Sequence, residues 1–185
     1  MEFTEFFQSI KTPATIAHII AVIVGMGSAL VSDGLFSFFA RDKKLSAKEI
    51  KILEVLRALV LYGLVAIALS GIAIFLSDPD KYIHSEKFLA KMSILAVLLL
   101  NGYALNKYIW PHLLKKKFFT AKSERNVRRI AFACGSVSAI SWLSVLGLGI
   151  LDSAPVGYSA IMALYAAVIL FGMTVALLIE KREYD

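Results

Sequence analysis

The chain has 185 residues, 58% of them apolar, with a formal net charge of +6 and a mean hydropathy of +0.72. Soluble domains are nearer half apolar and spread their charges along the chain. Here the charges cluster and leave apolar stretches of roughly 20–27 residues, each able to cross a hydrocarbon core of about 30 Å as a helix. That pattern excludes a soluble globular domain and predicts an all-α polytopic membrane protein, a bundle of five transmembrane helices.

In chain order, residues 1–12 come first as a short amphipathic segment. Phe3, Phe6, Phe7 and Ile10 fall on one stripe, with Glu2, Glu5 and Lys11 off it, as in a helix lying on the outer membrane surface. Thr12 is placed to cap the next helix, with Pro13 at its first position. Residues 13–185 then form a single transmembrane helical domain, with spans at about 13–39, 50–77, 88–110, 127–151 and 155–179. The first span is too long, and too interrupted by Gly25, Gly27 and Asp33, to read as a cleavable signal sequence.

Ser46 and Glu49 form a capping box for the second span. Asp78-Pro79-Asp80 stops it, Ser85-Glu86-Lys87 opens the third span and Trp110-Pro111 ends it. Ser123 is placed to cap the fourth span, and Asp152-Ser153-Ala154-Pro155 makes a tight turn into the fifth. Cys134 is the one cysteine, so no intrachain disulfide forms.

The 20 Lys and Arg residues alternate with the spans. Arg41, Lys43, Lys44, Lys48, Lys51 and Arg57 follow the first, eight lie from Lys107 to Arg129, and Lys181 and Arg182 close the chain. Only Lys11, Lys81, Lys87 and Lys91 fall on the opposite side, a split of 16 against 4. The positive-inside rule then puts the N-terminus outside and the C-terminus in the cytoplasm. The basic loops read as topology signals and as contacts for anionic lipid on the cytoplasmic side, not as a nucleic-acid surface.

Ionisable groups within a span are functional candidates, because a charge in hydrocarbon is costly. His18 lies about a turn and a half inside the outer end of the first span. It is either a neutral imidazole hydrogen-bonded to a neighbouring helix or a ligand for metal, haem or a proton. Ala21, Gly25, Ser28 and Ser32 recur below it, either for close helix packing or to leave room for a flat ligand. Asp33 lies 15 residues on, roughly 22 Å away, so it does not pair with His18. An ion pair with Arg57, at similar depth in the second span, is the expected partnership.

Lys91 opens the third span at the depth of His18, as a snorkelling cation or as a partner for an anionic group. Asn101 lies near mid-membrane, with Ser136, Ser138, Ser141 and Ser144 of the fourth span as expected partners. No His-x-x-x-His pair, Cys-x-x-Cys or carboxylate cluster is present. With His84 in the outer loop and His112 near the cytoplasmic end of the third span, a bis-histidine haem within one chain fails unless His84 folds inward. His18 with Met92 or Met162, or His18 alone with Lys91 beside it, are the sets compatible with haem or metal ligation.

The stretches AHIIAVIVGMGSAL and KFLAKMSILAVLLLNGYALNKYIWPHL resemble small bacterial membrane proteins of the copper-resistance D type and the haem-containing membrane protoporphyrinogen oxidases. The likeness covers the first three spans. It implies b-type haem binding and electron transfer with a hydrophobic donor, with His18 and Lys91 at the positions of that group's helix-1 histidine and helix-3 lysine. The chain departs from the pattern in lacking a tryptophan in its first helix, in carrying Asn101-Gly102-Tyr103 where those oxidases tend to have a Tyr-His pair, and in its fifth helix.

These readings converge on a multi-pass protein of a prokaryotic plasma membrane. The expected function is a haem- or quinone-linked redox protein, with its site at the outer ends of the first and third spans and His18, Lys91 and Asn101 around the cofactor. The alternative is a non-enzymatic small transporter, or a homo-oligomer or subunit of a larger membrane assembly.

Overall fold

A computed structural model describes residues 3–40, 43–115, 118–154 and 156–184. All regular structure among them is helical. The elements are α1 (Phe3–Ser9), α2 (Lys11–Phe39), α3 (Ala47–Leu76), α4 (Pro79–Ile83) and α5 (Glu86–Ala104). A π-helical turn (Leu105–Ile109), α6 (Trp110–Leu113), a 3₁₀ turn (Lys122–Glu124), α7 (Arg125–Ile150) and α8 (Tyr158–Tyr184) follow. Among the described residues five helical stretches are long and apolar enough to cross a membrane: Lys11–Phe39, Ala47–Leu76, Glu86–Leu113, Lys122–Ile150 and Tyr158–Tyr184.

The chain divides into two compact units, Met1–Leu35 with Lys51–Ser85 and Phe36–Ile50 with Glu86–Asp185. The first unit is built on the hairpin of α2 and α3. Their buried positions are mostly small: Ala21, Gly25 and Ala29 on α2, with Leu53, Gly63 and Ile67 on α3. Without a hydrophobic drive between helices in lipid, such residues let backbones approach until dispersion contacts hold them.

The second unit packs α5, α7 and α8 around Ala90, Ile94, Leu148, Ile161 and Tyr165. One end is tied by polar contacts. Lys87 Nζ donates to the Leu151 and Asp152 carbonyls, the Tyr158 N–H donates to Glu86 at 3.1 Å, and Ser93 bonds the Tyr158 hydroxyl at 3.0 Å. Glu86 thereby supplies an acceptor and a negative charge at the start of α8, where the helix leaves its N–H groups unsatisfied.

Several local expectations hold. The capping box forms in both directions, Ser46 N to Glu49 Oε2 at 2.6 Å and Glu49 N to Ser46 Oγ at 3.3 Å. The second span stops at Leu76, just before Asp78-Pro79-Asp80; beyond it lies a short unexpected helix, α4, which Asp78 caps by accepting from the Lys81 N–H at 3.3 Å.

Three expectations are corrected. α2 starts at Lys11, so Thr12 and Pro13 lie within its first turn; N–H groups there have no intrahelical acceptor, and proline costs nothing by lacking one. Trp110-Pro111 does not end the third span, because the Trp110 N–H reaches back five residues to the Leu105 carbonyl. That wider turn leaves Pro111 in the opening turn of a new helical segment, where its ring is tolerated. Ser123 falls inside the 3₁₀ turn, and α7 begins without a side-chain cap. Phe6 of α1 is exposed, while Phe7 and the following Ile10 are half-buried. Glu2, the Phe3 side chain, Arg41 and Pro155 lie outside the described residues.

Candidate functional site

His18 stands on the second turn of α2, and its Nδ1 lies 3.0 Å from the Ser70 Oγ of α3. The hydrogen bond to a neighbouring helix expected of a neutral imidazole is therefore present. Seven residues further along α2 is Gly25, and seven residues back along α3 from Ser70 is Gly63. A Cβ built on Gly63 would meet the Gly25 Cα at 2.5 Å and the Gly25 N at 2.8 Å. The two backbones touch there, so the small residues below His18 serve close helix packing. The contact holds α2 and α3 in antiparallel register and brings Ser70 to the level of the ring. Gly71 lies beside the imidazole, its hypothetical Cβ at 3.6 Å from Cε1, an ordinary contact.

Asp33 is half-buried on α2 and Arg57 is exposed on α3, in the same hairpin. Eight residues beyond the Gly25–Gly63 contact, the register sets Asp33 level with Val55, two residues from Arg57. About 3 Å of axial offset is well within the reach of an arginine side chain.

Lys91, Met92 and Asn101 belong to the second unit, on α5. Lys91 is half-buried against the end of α7, its Nζ 3.9 Å from the place a Cβ on Gly149 would take. Met92 is exposed, and Met162 packs on the α5–α7–α8 core. Asn101 Nδ2 donates to the backbone carbonyl of Cys134 at 2.9 Å. Two of the four serines expected as its partners are engaged elsewhere: Ser136 bonds the Ala133 carbonyl at 2.8 Å, and Ser141 bonds the Tyr165 hydroxyl at 2.8 Å. A carboxamide in hydrocarbon needs an acceptor, and a helix carbonyl with a spare lone pair supplies one wherever rotation about the axes brings it close. We expect Asn101→Leu to cost about 1 kcal/mol, measured by thermal denaturation in detergent, with the helical fold retained.

The remaining histidines are held locally. His84 Nδ1 lies 2.8 Å from the Asp80 carbonyl. His112 Nδ1 lies 2.5 Å from Glu124, whose other oxygen accepts from Lys115 at 2.9 Å. Among the described residues no group of three or more His, Cys, Asp or Glu side chains converges as a metal-ion site.

The second unit also contains a charged site that sequence reasoning missed. Arg128 and Glu180 are 3% and 0% exposed, and Arg128 Nε donates to Glu180 Oε1 at 2.7 Å. Arg128 also reaches the carbonyls of Phe118 and Phe119 at 3.4 and 3.3 Å. The Tyr184 ring covers the guanidinium at 4.8 Å, and its hydroxyl donates to the Ala40 carbonyl at 2.8 Å. Phe36, Phe119 and Phe132 pack around this cluster. Arg128, grouped above with the surface cations, is thus an internal charge. The available signal was Glu180, an acid at the apolar end of the last span with no neighbour of opposite charge on its inner face.

No protein-family model, no curated protein and no solved structure matches this chain.

Proposed function

We propose that the chain is a multi-pass protein of a prokaryotic plasma membrane, N-terminus outside and C-terminus in the cytoplasm, and that it acts as a b-type haem-binding or quinone-linked redox protein centred on His18. The observation that carries this reading is the His18–Ser70 contact at 3.0 Å. It orients an imidazole through Nδ1, as outer partners of ligating histidines do. A haem held there would use His18 as its one protein ligand. Bound there, haem would supply one-electron transfer, and the α2–α3 hairpin would orient the ring and keep water from it. The resemblance of residues 17–30 and 87–113 to the copper-resistance D and protoporphyrinogen oxidase group supports the same assignment. Lys91 and Asn101 belong to the second unit, and no role at His18 is assigned to them.

Haem analysis of protein purified from cells supplied with haem tests the reading. About one b-type haem per chain is expected, and a protein isolated without haem or bound quinone overturns it. The orientation is tested separately in a Cys134→Ser background. A membrane-impermeant maleimide applied to intact cells should label Thr4→Cys and spare Lys44→Cys; the reverse pattern contradicts the topology.

A second reading is favoured by a different observation. Asn101, Ser141, Tyr165 and His18 all bond across to a neighbouring helix, as polar groups do when they serve as glue. On this reading the chain is a small transporter, a homo-oligomer or a subunit of a membrane assembly, held in anionic lipid by its cytoplasmic cations. Either way, Asp33 and Arg57 pair at the cytoplasmic end of the hairpin. Asp33→Asn should destabilise the protein, and adding Arg57→Gln should restore part of the loss. Additive losses in that double-mutant cycle would argue against the pair.

A further inference from the structure

The π turn at Leu105–Ile109 does more than carry the third span past Pro111. A regular α-helix sets residues five apart about 140° apart round its axis, and the wider π turn narrows that angle between Tyr103 and Tyr108. Their rings flank one cation: Lys107 Nζ lies 5.1 Å from the centre of the Tyr103 ring and 5.6 Å from that of Tyr108. The ammonium also donates to the Tyr103 hydroxyl oxygen at 2.7 Å. An ammonium only donates, so the phenol keeps its own hydrogen to donate onward. Among the described residues nothing accepts that hydrogen or the other two of Lys107. All three side chains are exposed, Tyr103 by 57% and Tyr108 by 58%. They end an exposed stripe of α5, because Ala96, Leu100, Tyr103 and Lys107 follow one another at helical spacings of four, three and four. Lys107 lies six residues before the end of the apolar stretch Glu86–Leu113. That is about 9 Å along the axis, near the level where hydrocarbon gives way to headgroups.

We propose that Tyr103, Lys107 and Tyr108 form a site for one anionic glycerophospholipid. Its phosphate accepts from the Lys107 ammonium and the Tyr103 O–H, and an acyl chain lies along Leu100 and Ala96. A cation and a hydroxyl donor side by side call for an oxyanion, and bonds of that kind are the strong ones. The two rings hold the ammonium between them, so little side-chain freedom is lost when the lipid arrives. Phosphatidylglycerol presents an uncompensated negative charge to Lys107, whereas the headgroup cation of phosphatidylcholine offsets its phosphate. The apolar stripe that leads to the site commits it to a lipid instead of free phosphate. The site stands on these contacts within α5 and the π turn. Only its assignment to the cytoplasmic leaflet rests on the topology proposed above, and no part of it depends on haem at His18.

The full chain, reconstituted in phosphatidylcholine vesicles with a minor share of phosphatidylglycerol carrying a photoreactive diazirine on an acyl chain, tests this. Peptide mapping after illumination should find adducts on residues 96–108, competed by unlabelled phosphatidylglycerol and not by inorganic phosphate. Lys107→Gln should lower that labelling by about fivefold, the worth of one lysine at a charged lipid surface. Tyr103→Phe keeps the ring and every charge and removes only the hydroxyl, and it should lower labelling by about two- to tenfold, the range of one hydrogen bond. Lys44→Gln, which removes a cation from the connection after α2, should leave it unchanged. Equal labelling of wild type, Lys107→Gln and Tyr103→Phe overturns the site. Equal losses in Lys44→Gln and Lys107→Gln, with none in Tyr103→Phe, show general surface charge and overturn it too. Displacement by inorganic phosphate, or equal labelling by a photoreactive phosphatidylcholine, overturns the assignment to an anionic lipid.

Discussion

Arg128→Met should lower stability by about 3–5 kcal/mol, the range found when one partner of a buried ion pair is removed. Glu180 is fully buried, and its Oε2 has no hydrogen-bond partner among the described residues. Among the described residues Arg128 is its ion-pair partner, through the 2.7 Å bond to Oε1. Taking the cation away strands a carboxylate in an apolar surround and frees the Phe118 and Phe119 carbonyls that the guanidinium also reaches. The Tyr184 ring loses the cation it covers. Removing both charges should be much milder, because the desolvation cost disappears together with the attraction. Arg128→Met with Glu180→Gln should thus recover most of the loss. Thermal denaturation of the two single variants and the double variant in detergent measures this. Equal losses in the single and double variants would show that packing, not charge, holds this end together.

Gly63→Val should be the most damaging change in the first unit. Even an alanine there puts Cβ 2.5 Å from the Gly25 Cα and 3.3 Å from the Ala21 carbonyl, and all of these neighbours are backbone. Backbone cannot turn aside, so α2 and α3 must separate along their contact. Overpacking of a core costs about 1–3 kcal/mol where side chains can yield, so a loss at or above that range is expected. Separation also stretches the His18–Ser70 bond, so the variant should lose whatever His18 holds. Two comparisons isolate the cause. A Cβ added at Gly27 or Gly34 would meet nothing within 4 Å, so alanine at either should be neutral or stabilising by up to about 1 kcal/mol through helix propensity. Gly172 would meet Ile140 Cδ1 at 2.4 Å, but that is the tip of a flexible side chain, and Gly172→Ala should be tolerated far better than Gly63→Ala.

Residues far apart in sequence decide both predictions, and this marks how much could be read from sequence. Helix existence is written in local composition. Each apolar run needs only its own residues to declare itself, and the Ser46–Glu49 box forms from neighbours three apart. Span ends are less legible wherever a local rule has an escape. The π turn at Leu105–Ile109 carries the third span past Pro111, and a 3₁₀ turn takes the place of a Ser123 cap. Partnerships are not legible, because they depend on which helices adjoin and how each is rotated. Asn101 finds the Cys134 carbonyl instead of a serine. His18 with Ser70, and Arg128 with Glu180, each join residues 52 positions apart. His18 itself is legible as a candidate because a histidine inside an apolar span is unusual on any register.

The central claim is that His18 is the ligand-bearing residue of a redox protein, and the visible spectrum tests it most directly. Protein purified from cells supplied with haem should show a Soret band that is lost in His18→Ala and retained in His84→Ala and His112→Ala. A colourless wild-type protein, or a Soret band that survives His18→Ala unchanged, would contradict it.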